Sequence, residues 1–253
     1  MHSFLLIGQS NMAGRGFVNE VEPIINNKIK VLRNGRWQPM YVPINCDRVA
    51  SGISLAESFA DAYANDHDVE VGLIPCADGG TSLEQWKEGG LLYDNAICQA
   101  RLAQRTSTIA GVLWHQGESD CRKGLYDTYA ERFERIMAAF RRDLDLCDVP
   151  FILGGLGDFL KNCNLKSRWN LERETYIYVN EALKKIAVNN VMTGFVSAEN
   201  LSANADNLHF NAKSLREFGI RYYQEFCRLE NRDKVFADKY VEDDLFRLDM
   251  EKL

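Results

Sequence analysis

The sequence lacks the features that mark several large classes of protein. None of its apolar runs approaches the ~18 residues that a transmembrane helix needs. The net charge is −6 and no block of five or more like charges occurs, which argues against nucleic acid or an anionic membrane surface as the main partner. No G-x-G-x-x-G motif or P-loop follows the first apolar run, so a Rossmann-type nucleotide binder is disfavoured. We therefore expect neither a membrane nor a nucleic-acid partner.

Cysteine is present, but in a pattern that fits neither a disulfide framework nor a zinc site. The seven cysteines are an odd number, lie far apart and form no C-x-x-C pair. We expect them to be reduced and mostly buried. The chain also enters its first apolar run at Phe4, with no charged leader and no cleavage site before it. The missing leader predicts a cytoplasmic protein.

Short apolar runs alternate with helical patterns along most of the chain. The runs, each bounded by Gly, Asp, Asn or Pro, cover residues 4–7, 69–74, 109–114, 151–153 and 191–196. Apolar residues also recur at helical spacing, in three stripes: Ile53, Ala56, Ala60 and Tyr63; Tyr129, Phe133, Ile136 and Phe140; Leu215, Phe218, Tyr222 and Phe226. Five strands alternating with helices predict an α/β fold, a three-layer sandwich around a five-stranded parallel, doubly wound sheet. We place this single domain at residues 1–227.

Two segments do not follow this alternation. Residues 28–40 carry Asn34-Gly35 between β-prone flanks, a strong hairpin signal, and we interpret them as an excursion from the sheet. Residues 228–253 are highly charged but keep several apolar side chains. This stretch is predicted to be a helical appendage or a contact within a homo-oligomer.

Polar segments follow four of the five predicted strands, and three of these segments contain glycine. Ser10 follows the first, in "GQSNMAG", and the other segments are "CADGGTSLEQW" (76–86), "WHQGESD" (114–120) and "SAENLSANADNLHF" (197–210). In a parallel α/β sheet, ligands bind beyond the carboxyl ends of the strands. The four segments therefore predict a site at one edge of the sheet.

The histidines indicate which kind of catalysis this site could perform. A serine nucleophile needs a neighbouring base that works near neutral pH, and histidine is the usual one. Only four histidines occur. One of them, His209, has Asp206 three residues before it, in the polar segment that follows the fifth predicted strand. This order predicts a triad of Ser10, Asp206 and His209. His115 also lies at a strand end, and either it is structural or it is the base instead.

An acyl-transfer site also needs donors directed at the developing oxyanion. Candidates are the backbone N–H groups of Ser10 and Gly80 and the side-chain amide of Gln116, although Gln116 and Glu118 are equally consistent with a structural role. Trp86 and Trp114 flank the predicted site. They either stack on a sugar ring or, as is more common for tryptophan at strand ends, belong to the core.

The motifs "GQSNMAG", "GGTSL", "WHQGESD" and "DNLHF", in this order, resemble those of the SGNH (GDSL-like) hydrolase superfamily. More specifically, they resemble the sialate O-acetylesterase and acetylxylan esterase branch, the carbohydrate esterase family 6 type, from about residue 3 to residue 227. The resemblance implies a flavodoxin-like α/β fold, with Ser10 as nucleophile, His209 as base and Asp206 as its orienting acid. It also implies an oxyanion hole of Ser10, Gly80 and Gln116, with Glu118 and His115 in support.

This resemblance implies a serine esterase that removes O-acetyl groups from a small carbohydrate, with no metal and no cofactor. Both an acetylated xylo-oligosaccharide and an acetylated sialic acid fit as substrate. Two alternatives remain open, an arylesterase or lipase-like enzyme acting on short acyl chains and a non-catalytic carbohydrate-binding protein. The sequence departs from the general SGNH pattern at Gln9, where many members have aspartate, and at Gln116, where the typical donor is asparagine.

Overall fold

A central β-sheet of seven strands forms the middle layer of the computed structural model, which describes residues 1–163 and 174–230. In chain order the strands are β1 (His2–Gly8), β2 (Ile29–Arg33), β3 (Arg36–Pro39), β4 (Val71–Pro75), β5 (Thr108–His115), β6 (Phe151–Gly154) and β7 (Thr193–Val196). Their order across the sheet is β3-β2-β4-β1-β5-β6-β7, and every neighbouring pair is parallel except β2 with β3. The predicted doubly wound α/β architecture is confirmed.

The predicted number of strands is wrong, because the hairpin belongs to the sheet. Ile29 and Val31 of β2 are fully buried and pair in parallel with Val71 and Leu73 of β4. Strand β3 then adds to β2 as an antiparallel edge strand. The hairpin signal identified the turn correctly, but burial of the β2 side chains against the core decides that this strand extends the sheet. The result is seven strands in place of five.

Helices cover both faces of the sheet. They are α1 (Ser10–Ala13), α2 (Leu55–His67), α3 (Leu83–Trp86), α4 (Leu91–Gln104), α5 (Tyr129–Leu144) and α6 (Tyr176–Asn189), followed by α7 at residues 212–230. The three predicted apolar stripes are buried, the first of them beginning just before α2. Short 3-10 turns occupy several connections, among them Glu118–Asp120.

The two packed faces are visible in the aromatic contacts. Phe4 of β1 pairs with Gly111 of β5, and its ring lies 4.8 Å from that of Phe59 in α2. Trp114 lies three residues further along β5 and therefore points to the opposite face. There its ring packs 4.6 Å from that of Phe133 in α5. The sheet is thus the middle of three layers, with helices packed on both of its faces.

Two further expectations have different outcomes. All seven cysteines are free, as predicted, but only Cys76, Cys121 and Cys163 are buried, while three others are exposed and one is intermediate. The expectation that they are mostly buried is therefore wrong. The predicted C-terminal appendage lies outside the described residues, apart from 228–230, which continue α7. Within residues 1–163 and 174–230, no helix has the length and apolar character needed to cross a membrane.

Candidate active site

The four polar segments meet at the carboxyl edge of the sheet, where they surround a cavity of about 440 Å³. Each segment contributes to its wall, through Ser10, Gly80, Glu118 and His209 respectively. The convergence expected from the strand order is therefore present. Cavities at this edge are the usual ligand sites of parallel α/β folds.

Ser10, His209 and Asp206 form a continuous hydrogen-bonded chain at the cavity. His209 Nε2 lies 3.0 Å from Ser10 Oγ, and His209 Nδ1 lies 2.7 Å from Asp206 Oδ2. The other carboxylate oxygen of Asp206 accepts the backbone N–H groups of Leu208 and His209, at 2.9 and 3.1 Å. This is the geometry that nucleophile, base and orienting acid need.

The charge on Asp206 fixes the proton positions in this chain. Partial burial acts to raise its pKa, but the hydrogen bonds from the His209 ring and from the backbone N–H groups of Leu208 and His209 lower the pKa of Asp206 to about 2. Asp206 is therefore ionised at neutral pH and accepts a hydrogen bond from His209 Nδ1–H. In neutral His209 this leaves Nε2 as an acceptor for the Ser10 hydroxyl.

Ser10 reaches the cavity because the chain turns sharply after β1. Gly8 has φ +129°, and a Cβ there would lie 2.1 Å from the carbonyl oxygen of His115. Only glycine fits both the backbone conformation and this close approach. Gln9 is extended, and Ser10 then starts the single turn of α1, with its side chain at the cavity wall. The strand end thus places the hydroxyl facing His209.

Asn11, directly after Ser10, holds the backbone on both sides of His209. Its side-chain amide donates to the carbonyl of Leu208 at 3.2 Å, and its side-chain oxygen accepts the N–H of Phe210 at 3.1 Å. The same amide donates to Glu118 Oε1 at 2.5 Å. Sequence reasoning missed this residue. The available signal was a second amide side chain flanking the serine in "GQSN".

His115 lies beneath the cavity, and neither His115 nor Glu118, which lines the cavity wall, is hydrogen-bonded to Ser10. His115 is fully buried, with its Nε2 3.3 Å from Glu118 Oε1. Burial acts to raise the pKa of Glu118, but the hydrogen bond and charge of His115 and the hydrogen bond from Asn11 outweigh it and lower that pKa. The structure thus brings His209 to Ser10, whereas His115 contacts the acid that holds Asn11. This supports a structural role for His115 and Glu118.

Two of the three expected oxyanion donors are free at the cavity. Among the described residues no acceptor is bonded to the backbone N–H of Ser10 or Gly80, and Gly80 has φ +78°. The neighbouring N–H of Gly79 is already donated to Asp47 Oδ2 at 2.8 Å. The open donors on this turn are therefore consistent with the Gly80 assignment.

Gln116 does not fit its predicted place as the third donor. Its side-chain nitrogen donates to the Thr81 carbonyl at 3.1 Å and to Asp120 Oδ2 at 2.6 Å, so both amide hydrogens are used. Its side-chain oxygen accepts the Tyr129 hydroxyl at 3.1 Å, and the residue is fully buried. Gln116 therefore ties neighbouring loops together beneath the cavity and does not reach Ser10.

Trp86 and Trp114 belong to the core. Both are fully buried and pack edge to face, 5.6 Å between ring centroids. The Trp86 indole N–H donates to Thr81 Oγ1 at 3.0 Å. The interpretation of these rings as a sugar platform is therefore wrong, and the core interpretation is the correct one.

Three arginines that sequence reasoning did not single out line the cavity. Arg15 is paired with Asp47 at 2.6 Å, and Arg48 with Asp78 at 2.8 Å. Arg122 donates its Nε to the Ser119 carbonyl at 3.1 Å and has no carboxylate partner among the described residues. The cavity wall therefore offers one guanidinium group for an anionic ligand. The described residues contain no cluster of three side chains suited to a metal ion.

This fold and this site are those of an SGNH-like ester hydrolase, and comparison with known proteins defines the group more closely. Residues 1–228 match the family model described as "SASA: Carbohydrate esterase, sialic acid-specific acetylesterase". The chain belongs to this family, and the protein is a carbohydrate esterase. The match covers all the motifs from Ser10 to His209.

Individual relatives of known sequence or structure are consistent with membership of this family. A probable carbohydrate esterase of Arabidopsis thaliana is 28% identical over 256 residues, which is 88% of this chain and 91% of the relative. The crystal structure of that plant protein superposes with a TM-score of 0.79 at 27% identity, over 90% of this chain and 98% of the other. A carbohydrate acetylesterase from Xanthomonas citri shares the fold alone, with a TM-score of 0.62 at 15% identity, over 87% of this chain and 55% of the other.

Proposed function

We propose that the protein removes O-acetyl groups from a carbohydrate through a covalent acetyl-enzyme on Ser10. The observation that carries this proposal is the chain Ser10, His209, Asp206, with separations of 3.0 and 2.7 Å, at the wall of a cavity. His209 Nε2 accepts the hydroxyl proton as Ser10 Oγ attacks the acetyl carbonyl. The ionised Asp206 stabilises the resulting imidazolium.

The backbone N–H groups of Ser10 and Gly80 then hold the negative charge that develops on the carbonyl oxygen. The sugar alcohol leaves with the proton returned by His209, and the acetyl group stays on Ser10 Oγ. Water attacks this ester by the same route, with His209 again taking the proton. Acetate and the free serine are the products.

The experiment that tests this function is hydrolysis of an aryl acetate by the Ser10→Ala variant. We expect turnover to vanish while the fold is retained, because no other hydroxyl is in contact with His209 Nε2 in the described structure. The matched control is Ser58→Ala, which removes a buried hydroxyl of α2 that bonds the carbonyl of Arg216 at 2.7 Å. Near wild-type turnover in Ser10→Ala would contradict the nucleophile assignment.

The substrate that the cavity fits best is an acetylated sugar that carries a carboxylate, such as an O-acetylated sialic acid. The feature that favours it is Arg122, which lines the cavity without a carboxylate partner among the described residues. A guanidinium group binds a carboxylate in a bidentate geometry. A neutral acetylated xylo-oligosaccharide offers Arg122 no such group.

Acetate release from a panel of acetylated sialic acids and xylo-oligosaccharides, with Ser10→Ala as blank, tests this choice. Higher kcat/KM on the acidic sugars supports it, and preference for the neutral ones contradicts it. A series of p-nitrophenyl esters tests the arylesterase alternative, which predicts activity that rises beyond butyrate. Labelling of Ser10 by a serine-directed organophosphate would contradict a non-catalytic binding role.

A further inference from the structure

We propose that Asp47 and Arg48 are positioning residues of this site, which hold the backbone of Gly79 so that the next N–H group, that of Gly80, faces the developing oxyanion. The inference rests on the proposed esterase function. It is carried by the contacts of Gly79, because both of its backbone polar groups are bonded to side chains of these two residues. Its N–H donates to Asp47 Oδ2 at 2.8 Å, and its carbonyl accepts from Arg48 Nη2 at 3.0 Å.

The turn at Gly79 and Gly80 has little conformational restraint of its own. Both residues lack a Cβ, and Gly80 has φ +78°, a region that glycine adopts about as readily as negative φ. The Gly79 carbonyl and the Gly80 N–H belong to one planar trans peptide and therefore point in opposite directions. Arg48 holds the carbonyl of this peptide, and Asp47 holds the N–H of the peptide before it. The two contacts together fix the direction in which the Gly80 N–H points.

The carboxylate of Asp47 is itself held in place. Its side chain is 3% exposed and accepts both terminal nitrogens of Arg15, Nη2 on Oδ2 at 2.6 Å and Nη1 on Oδ1 at 3.1 Å. Ser51 and Asn45 also donate to Oδ1, at 2.9 and 3.2 Å. Burial acts to raise the pKa of Asp47, but the hydrogen bonds and charge of Arg15, with the bonds from Ser51 and Gly79, outweigh it and lower that pKa. The group that anchors the turn is therefore charged at neutral pH.

The same carboxylate connects the Gly79 turn to the turn that carries the nucleophile. Arg15 lies just beyond α1, which begins with Ser10, and both residues line the cavity. The two turns also pack closely, since a Cβ on Gly79 would lie 2.5 Å from Arg15 Nη2 and 3.5 Å from Ser10 Cβ. Asp47 therefore links the two backbone donors, the N–H groups of Ser10 and Gly80. Such donors stabilise a transition state because they are already in place when the charge develops.

The decisive variant is Asp47→Asn. The substitution keeps the shape of the side chain and removes its charge. One end of the side chain becomes an N–H₂ group, which faces a donor of Arg15 whichever way the amide is turned. We expect kcat on p-nitrophenyl acetate to fall about 100-fold with little change in KM, because a misplacement of about 1 Å at an active site costs about that factor.

The matched control is Glu57→Gln, which neutralises another buried carboxylate. Glu57 is fully buried, pairs with Arg216 and also accepts a backbone N–H, that of Ser54 at 3.1 Å. It lies in α2, outside the cavity wall. This variant should lose stability and keep its kcat.

Two further measurements separate the oxyanion donors from the catalytic base. A boronic acid forms a negatively charged tetrahedral adduct with a catalytic serine, and we expect Asp47→Asn to weaken boronate binding by about the same factor as kcat/KM. The acid limb of the pH profile of kcat/KM reports protonation of the base in the free enzyme. That limb should stay in its wild-type position, because neither His209 nor Asp206 is hydrogen-bonded to Asp47 in the described structure.

Arg48→Met carries the same test if Asp47→Asn does not fold. The Arg48 side chain is 51% exposed, so its replacement puts little of the core at risk. Methionine keeps an unbranched stem and removes the bond to the Gly79 carbonyl. We expect kcat on p-nitrophenyl acetate to fall by about 10-fold, with KM unchanged.

Two outcomes overturn the inference and leave the proposed function intact. One is kcat and boronate affinity in Asp47→Asn, or kcat in Arg48→Met, that match those of Glu57→Gln. The other is a loss of kcat with unchanged boronate affinity or with a displaced acid limb, which would mean that the variant does not act through the oxyanion donors. Failure of the wild-type protein to hydrolyse any acetyl ester would instead reject the esterase function itself.

Discussion

Replacing Asn11 by alanine removes the side chain that joins the nucleophile turn to the segment carrying His209. In the structure this side chain makes three hydrogen bonds, to the Leu208 carbonyl, the Phe210 N–H and Glu118 Oε1. All three partners belong to buried parts of the site. The variant therefore tests whether one residue next to Ser10 sets the position of the base.

The cost to stability follows from these contacts. Each of the two bonds to backbone groups contributes about 1 kcal/mol, and the bond to the charged Glu118 about 2 kcal/mol. We therefore expect Asn11→Ala to lower the free energy of unfolding by about 4 kcal/mol, against a typical total of about 5–15 kcal/mol. Urea denaturation at 25 °C measures this change and shows whether the variant remains folded.

The cost to catalysis has a different origin. His209 loses the support on both sides of its backbone, while its own bond to Asp206 remains. A displacement of about 1 Å in a reacting group costs about 100-fold in rate. We expect kcat on an aryl acetate to fall by about that factor in protein that is still folded.

The control for this prediction is Asn190→Ala. Asn190 makes a comparable pair of amide contacts, to the carbonyl of Ile186 at 2.9 Å and to Glu134 Oε1 at 3.2 Å, but it lies before β7, at the end of the sheet remote from the cavity. This variant should lose stability and keep its kcat. An unchanged kcat in Asn11→Ala, with a stability loss like that of the control, would refute the positioning role.

Three further outcomes follow from the site. His209→Ala should lose at least about 10⁴-fold in kcat, because the triad acts as a unit, and retention of most activity would return the base to His115. The pKa of Asp206 is about 2 in the folded protein against ~3.9 in an unfolded chain, so its contribution to stability is present above about pH 4 and is lost as the pH falls toward 2. The Tm advantage of the wild type over Asp206→Asn should therefore shrink across that range, and a constant difference would contradict the charge assignment. Arg122→Ala should raise KM for an acetylated acidic sugar and leave p-nitrophenyl acetate unaffected, and an equal effect on both would argue against a carboxylate contact.

The alternation of strands and helices and the order of the polar segments were predictable from the sequence. Both depend on local signals, namely apolar runs bounded by turn residues and short motifs at their ends. Ser10, Asp206 and His209 could be placed together because parallel strands bring their carboxyl ends to one edge. A hydrogen-bonded triad of this kind can be predicted from the residue types and from their order along the chain.

The parts that sequence reasoning missed depend on burial and on which group occupies each hydrogen bond. β2 reads as one arm of an isolated hairpin until Ile29 and Val31 are seen to be buried beside β4. Gln116 stands at a motif position, and only its hydrogen-bond partners show that both of its amide hydrogens are already used. Hydrogen-bond partners of this kind cannot be predicted from a sequence pattern.

The antiparallel strand β3 also has a consequence for the behaviour of the protein at high concentration. It closes one edge of the sheet with a four-residue strand that begins with the exposed cation Arg36 and ends with Pro39, which has no backbone N–H. Short strands, charge and proline at an edge discourage the pairing of one sheet with another. The hairpin thus protects the side of the sheet occupied by β2, whose unpaired backbone N–H and C=O groups would otherwise offer a template for self-association.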